Sequence, residues 1–209
     1  MTRNNLILIG AGGHARSCID VVEQEGNFKI IGLVGIESEL GSKVNGYEVI
    51  ATDKDLSTLI HRAQFALIAL GQISSPDARV NLLQRALKAG FELASVVSPS
   101  AYVSPSAQIG KGTVVMHGAI INSGVKVGSN CIINSRALLE HDTQVSDNCH
   151  ISTGAILNGG VIVDEGCFIG SGTIVKEGVS IGKRSIVGMG SLLRANLNAN
   201  SRFLRESLK

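Results

Sequence analysis

The sequence predicts an α/β Rossmann-like N-terminal domain followed by a left-handed parallel β-helix of hexapeptide repeats. Three observations carry this. Stepping by six from Val97 through Val103, Ile109 and Val115 to Val187 and Leu193 meets an aliphatic residue at every one of seventeen positions. A second column at a fixed offset is almost all Gly, Asn and Asp. Before the repeat, apolar runs alternate with amphipathic stretches around a glycine-rich turn. Internal periodicity of this kind outranks local propensity as evidence of fold.

The columns of the repeat explain one another. Four residues after each aliphatic, from Ala101 to Ser191, the chain holds only Ala, Ser, Thr, Cys or Val, the side chains that fit a narrow interior corner. Three residues after each aliphatic, from Gly112 to Gly190, fourteen positions hold nine Gly, two Asn, one Asp and two Arg. Gly, Asn and Asp are the residues that enter positive φ most readily. A chain that runs straight, turns left-handed and repeats makes one coil of a triangular prism from three hexads, that is, from eighteen residues. A right-handed β-solenoid is the competing geometry, with longer and less regular coils. Cys131, Cys149 and Cys167 are eighteen apart, so they stack in one interior column as small core residues. Solenoid ends must be covered. The tail, 194–209, offers Leu197, Phe203, Leu204 and Leu208 with Ser201 as an N-cap, which predicts a short capping helix.

Ahead of the repeat domain, 95–193, residues 1–94 read as a small βαβ domain. Leu6–Ile9, Lys29–Val34 and Phe65–Leu70 are expected as buried parallel strands, 14–25, 53–62 and 77–90 as helices, and Leu93–Val97 as a last short strand. Gly10-Ala11-Gly12-Gly13-His14-Ala15 fits G-x-G-x-x-A between the first strand and helix, a turn whose amides face a phosphate. The plainer reading is that these glycines merely turn the chain. A dinucleotide site wants an acid at the end of the second strand, where this chain reads Leu33-Val34-Gly35-Ile36-Glu37 with Glu37 late. Some ninety residues leave little room for NAD, so a mononucleotide or nucleotide-sugar diphosphate fits better. Gly71, Gln72 and Arg79 are expected to border the same crevice, with Arg79 toward a diphosphate or else solvated.

Composition narrows the function class. A formal charge of +2 and no Lys/Arg cluster argue against nucleic acid as a partner. The apolar run at Leu6 is too short for a signal peptide and no span approaches the ~20 residues of a membrane helix, so a cytoplasmic protein without a membrane partner is expected. The four cysteines contain no CxxC pair. Twenty-five glycines and 3% aromatic residues suit a core of stacked aliphatics.

Five histidines are candidates for chemistry. His61 falls late in a predicted surface helix. His117 and His141 lie two residues after an aliphatic, outward at a corner of the prism. His141 sits in Glu140-His141-Asp142, where flanking acids fix an imidazole's tautomer and raise its basicity, making it the best general-base candidate. Asp142 also occupies the Gly/Asn column and is accounted for as a turn former. A metal triad of His117, His141 and His150 is the third reading, but their offsets within the coil all differ, so no metal is expected.

From about residue 5 to 193 the chain resembles the sugar O-/N-acyltransferases of the sialic-acid O-acetyltransferase and bacillosamine-pathway acetyltransferase family. The resemblance rests on Gly10 to Ala15, Ala69-Leu70-Gly71, Ser98-Pro99-Ser100 and Glu140-His141-Asp142. It implies an acetyl-CoA-dependent enzyme of bacterial surface polysaccharide biosynthesis, a homotrimer with active sites between subunits, and a nucleotide sugar held through Gly10, Gly12, Gly13 and His14. It makes His141 the base and Asp142 its partner, and places His150 and Gly159 near the thioester of CoA. Contacts recurring every eighteen residues nominate Ser171 and Met189 beside Gly172 and Gly190. Two departures stand out. Members that take uridine nucleotide-sugars carry one or two Asp where this chain has Gly35-Ile36, and the usual Gly-x-Pro-Ala turn at the end of the prism is replaced by Asn196-Leu197-Asn198-Ala199-Asn200.

The expected reaction is acetylation of an amino group on a nucleotide-linked amino-deoxy sugar. O-acetylation of sialic acid or a related surface sugar is the nearest alternative. A non-catalytic nucleotide-sugar binding protein is the alternative from another class.

Overall fold

The computed structural model describes residues 3–204, which form two compact units. The first comprises the chain up to Gly71 together with Asp77–Ser98; the second comprises Gln72–Pro76 and the chain from Pro99 onward. The first runs past the sequence-based boundary at 94 because Val96 is fully buried in it and the Val97 N–H donates to Glu25 Oε1, 3.0 Å away.

In the first unit, β1 (Asn4–Ile9) is central, flanked by β2 (Phe28–Gly35) and β5 (Phe65–Ile68), all parallel. Leu6 to Ile9 are all 0–1% exposed, as a strand covered on both faces requires. Helix α1 (Gly13–Glu25) ends on Gly26 at φ 76°, the left-handed C-terminal position that glycine fills without steric cost. A hairpin that the sequence reading did not include joins β3 (Lys43–Val44) to β4 (Tyr47–Thr52), with Asn45 at φ 46° and Gly46 at φ 88°. Asn-Gly is the strongest two-residue hairpin signal. β4 pairs parallel with β2, extending the sheet. The helix expected at 53–62 is a single turn, α2 (Leu56–Leu59): Asp55 Oδ2 accepts from the Thr52 N–H and hydroxyl, which makes Thr52–Asp55 a turn instead of a first helical coil. Helix α3 (Asp77–Lys88) and β6 (Glu92–Leu93) close the unit, and β7 (Val96–Val97) packs on α1.

The second unit is the left-handed β-helix. Its strands are two residues long, the first side chain facing out and the second in, and each pairs parallel with the strand eighteen residues on. One face carries Val114, Ile132, His150, Phe168 and Ile186. The next carries Tyr102, Ile120, Leu138, Ile156, Ile174 and Leu192. The third carries Gln108, Lys126, Gln144, Ile162 and Ser180. All fourteen residues of the turn column have positive φ, Asp142 among them at 60°. Every small corner residue from Thr113 to Ser191 is 0–4% exposed. The three cysteines stack there, Cys131 and Cys149 donating to Ser146 O and Asp164 O at 3.2 and 3.1 Å, and burial pushes the Cys149 thiol well up.

The tail corrects the expectation of a capping helix. Arg202–Phe203 is a strand paired parallel with Ile186–Val187, and Leu197 bridges Ile181. Both pairings span sixteen residues, so the hexad continues with two residues removed, which is why Leu197 and Phe203 look out of phase with Leu193. Turn residue Asn200, φ 59°, donates its N–H to Lys183 O. The last full coil is thus covered by another partial coil; Leu208 lies outside the described residues.

Candidate active site

The Glu140-His141-Asp142 corner follows Leu138–Leu139, and each of its three side chains is placed by a neighbouring coil. Glu140 Oε2 accepts from Asn122 Nδ2 of the preceding coil at 2.9 Å. Asp142 lies over Gly124, where a Cβ would stand 2.6 Å from Asp142 Oδ1. Asp142 Oδ2 is 3.0 Å from His141 Nδ1, so the carboxylate accepts the Nδ1 proton and leaves the lone pair on Nε2. The imidazole lies along Gly159 of the following coil, where a Cβ would come 2.6 Å from Nε2 and 2.7 Å from Cε1. Both side chains are open to solvent, 69% and 75% exposed. This is an oriented imidazole with an accessible acceptor atom, the geometry a general base requires.

Asp142 both occupies a left-handed turn and hydrogen-bonds His141, and substitution separates the two. Asn tolerates the left-handed turn, so Asp142→Asn is expected to keep the melting temperature while lowering kcat about tenfold, the worth of one charge-assisted hydrogen bond of about 1.5 kcal/mol. Wild-type kcat in that variant assigns Asp142 to the turn alone.

His150 is built differently. It is 6% exposed, edge-on to Phe168 with ring centroids 5.2 Å apart. Asn134 Oδ1 accepts from the Ser135 N–H at 2.8 Å, which turns the Asn134 amide so that Nδ2 donates to His150 Nε2 at 3.1 Å. The remaining proton sits on Nδ1 and is donated to the Gln72 carbonyl at 2.6 Å. That chain fixes the His150 tautomer. Gln72 is itself anchored, its Nε2 donating to Asn148 O at 3.0 Å and Cys167 O at 3.3 Å.

The other predicted residues separate into two groups. Ser171, Gly172, Met189 and Gly190 share one edge of the prism, stacked by Gly190 N–H to Ser171 O at 2.8 Å, with Ser171 Oγ 2.9 Å from Ser152 Oγ and Met189 77% exposed. His141 and Gly159 occupy the next edge. His117 lies in the Ser171 column and His150 on a face, so the three histidines do not converge; among the described residues no group of three His, Cys, Asp or Glu is arranged to hold a metal.

In the first unit, Gly10 and Gly12 line a cavity of about 280 Å³ with the end of β2, Glu39, Asp53, Leu70 and Leu82. Gly10, φ 124°, is pressed to the end of β5: a Cβ there would stand 2.8 Å from the Ala69 carbonyl carbon. Gly13 opens α1, and His14 stands beside Gly71, whose Cβ would lie 3.7 Å from that of His14. Arg79 and Gln72 are corrections. Arg79 is 1% exposed, not solvated or aimed at a diphosphate; its Nη1 donates to the carbonyls of Ile68, at 2.9 Å, and Leu70, so it closes the end of β5. Gln72, 3% exposed, belongs to the β-helical unit and serves His150. Glu39 is not announced by spacing, because it arrives on a 3-10 turn, Glu37–Glu39, beyond the strand end where an acid is sought.

Known proteins share this fold. Residues 5–85 match the PglD N-terminal domain, 97–141 the bacterial transferase hexapeptide (six repeats) and 160–195 the hexapeptide repeat of succinyl-transferase. Among solved structures, a histidine-to-asparagine variant of perosamine N-acetyltransferase from Caulobacter crescentus, in complex with CoA and GDP-perosamine, is 31% identical. It covers 98% of this chain and 95% of its own, with a TM-score of 0.91. The chain belongs to the hexapeptide-repeat sugar N-acetyltransferases of the bacillosamine-pathway type. As a member of that family it is an acyltransferase. The family's acetyltransferase domain of PglB from Neisseria gonorrhoeae, in complex with acetyl coenzyme A, is 28% identical over 98% of this chain and 97% of that one, with a TM-score of 0.89. WeeI from Acinetobacter baumannii, 22% identical over 95% of this chain and 96% of that one, shares the fold with a TM-score of 0.83. A search of the curated proteins returned no match. Among the described residues no helix is long and apolar enough to cross a membrane.

Proposed function

We propose that this acetyltransferase moves the acetyl group of acetyl-CoA to the amino group of a nucleotide-linked amino-deoxy sugar. The observation that carries the reading is the His141 imidazole: exposed, oriented through Nδ1 by Asp142, and presenting Nε2 as proton acceptor. The amine nitrogen attacks the thioester carbonyl carbon, His141 Nε2 takes the amine proton, the C–S bond breaks and the thiolate of CoA leaves, protonated in turn by the imidazolium. No covalent acetyl-enzyme is required. The interior thiols suit none, since Cys131, Cys149 and Cys167 are all fully buried in the prism, out of reach of a thioester.

The family neighbours' complexes with CoA, acetyl coenzyme A and GDP-perosamine support both substrates. The reading places CoA along the edge of Ser171, Gly172, Met189 and Gly190, with His150 and Gly159 toward the thioester, and the nucleotide at Gly10, Gly12, Gly13, His14 and Gly71. It also favours a homotrimer. The His141 edge and the Ser171 edge bound the same face, whose outward Tyr102, Ile120, Ile174 and Leu192 are 40–55% exposed. A second copy laid on that face covers an apolar column and brings its own edge to the first copy's base. The reaction belongs in the cytoplasm, where acetyl-CoA is available.

The test incubates the purified protein with acetyl-CoA and a panel of UDP-, GDP-, dTDP- and CMP-linked sugars with and without a free amine, and identifies products by mass spectrometry. Acetylation confined to amine-bearing sugars is expected. Transfer to hydroxyl-only sugars makes it an O-acetyltransferase, and binding without transfer to any of them overturns the enzymatic reading.

A further inference from the structure

The cavity at the glycine turn carries two carboxylates and no cationic side chain. Asp53 is paired with Arg85. Glu39 is held in another way: its N–H donates to Ile36 O at 2.9 Å while its Oε2 accepts the Ile36 N–H at 2.9 Å, so the carboxylate is folded back over the end of β2. A Cβ on Gly35 would stand 2.6 Å from that Oε2, 3.0 Å from Val49 Cγ1 and 3.3 Å from Ala11 Cβ. A side chain at 35 and the Glu39 carboxylate therefore exclude each other. The absence of an acid at the strand end and the presence of glycine there have one cause: the acid is delivered to the same place from four residues further along, next to the glycine turn.

In α/β nucleotide sites the phosphates sit at the first helix N-terminus, and an acid at the end of the second strand accepts a hydrogen bond from the ribose 2′-hydroxyl. One carboxylate offers about four lone-pair sites, of which the Ile36 N–H uses one, leaving enough for both hydroxyls of a vicinal diol. Ile36, 65% exposed, adds an apolar wall beside it. On the reading of the enzyme as a nucleotide-sugar acetyltransferase, we propose that Glu39 grips the ribose diol, so that the chain selects ribonucleotide-linked sugars over 2′-deoxyribonucleotide-linked ones, whatever their base.

The test is equilibrium binding of GDP, dGDP, UDP and dUDP to the full chain by titration calorimetry, repeated with Glu39→Ala and with Gly35→Ala, which keeps the carboxylate but displaces it. Wild-type protein is expected to bind each 2′-deoxy compound about 10–100-fold more weakly than its ribose counterpart, the range for a lost hydrogen bond to a charged group. Both variants are expected to erase that ratio by weakening the ribose compounds. Equal affinity for ribose and deoxyribose compounds in the wild type, or a ratio that survives in Glu39→Ala, overturns the proposal and leaves the nucleotide-sugar reading standing. Failure of all four to bind overturns the proposal, and the nucleotide-sugar reading falls with it only if none of the sugars in the acetylation panel is a substrate.

Discussion

Alanine at position 141 is expected to lower kcat by about 10²–10⁴-fold, the usual contribution of a positioned general base, with little change in acetyl-CoA affinity. In the proposed mechanism the imidazole accepts one proton in the transition state and does not hold the thioester in the ground state, so its loss is expected to fall on kcat. The fold is expected to survive, because His141 is 69% exposed and no other described side chain hydrogen-bonds to it besides Asp142. Steady-state kinetics combined with calorimetric titration of acetyl-CoA provides the measurement. A kcat within a few-fold of wild type sinks the assignment of His141 as base.

The second large effect comes from one methyl group. In Gly159→Ala the new Cβ meets His141 Nε2 at 2.6 Å and Cε1 at 2.7 Å, closer than nonbonded atoms allow. Gly159 is outside the left-handed column, so alanine costs its backbone nothing, and the ring is free to swing into solvent. The variant is expected to melt like the wild type and to lose about 10²-fold in kcat, because a displacement of about 1 Å from productive geometry costs that much. Wild-type kcat would show that the ring works from another position. A fall in melting temperature instead would mean that the ring cannot yield.

The contrast between these two residues shows what can be read from a sequence. The coil length, the inward column and the left-handed turns follow from side-chain size and φ tolerance, which are local properties repeated many times; one misjudged hexad changes nothing. The tail resembles a helix in sequence because a two-residue deletion in the last coil shifts Leu197 and Phe203 out of phase, and apolar residues without the hexad phase suit either structure. Asn45-Gly46 is a local signal that does announce its hairpin. Arg79 illustrates a true ambiguity: a cation at a helix start looks the same whether it meets a phosphate or the carbonyls of Ile68 and Leu70. The bond from His150 to Gln72 spans 78 residues with no periodicity to announce it. Glu39 was hidden because geometry, not spacing, brings it to the strand end.

The eighteen-residue register also governs how this chain can change in length. Removing or adding six residues within the prism leaves every aliphatic inside and every turn intact, so the scaffold accepts it. It also rotates everything downstream by one face: made ahead of His150 it carries that ring away from the side that Gln72 covers, and made between His141 and Gly159 it parts those two. Only a step of eighteen returns every downstream residue to its original face, shifted by one coil along the prism. Length variation that preserves folding and length variation that preserves the face each residue occupies are therefore quantised in different units, six and eighteen.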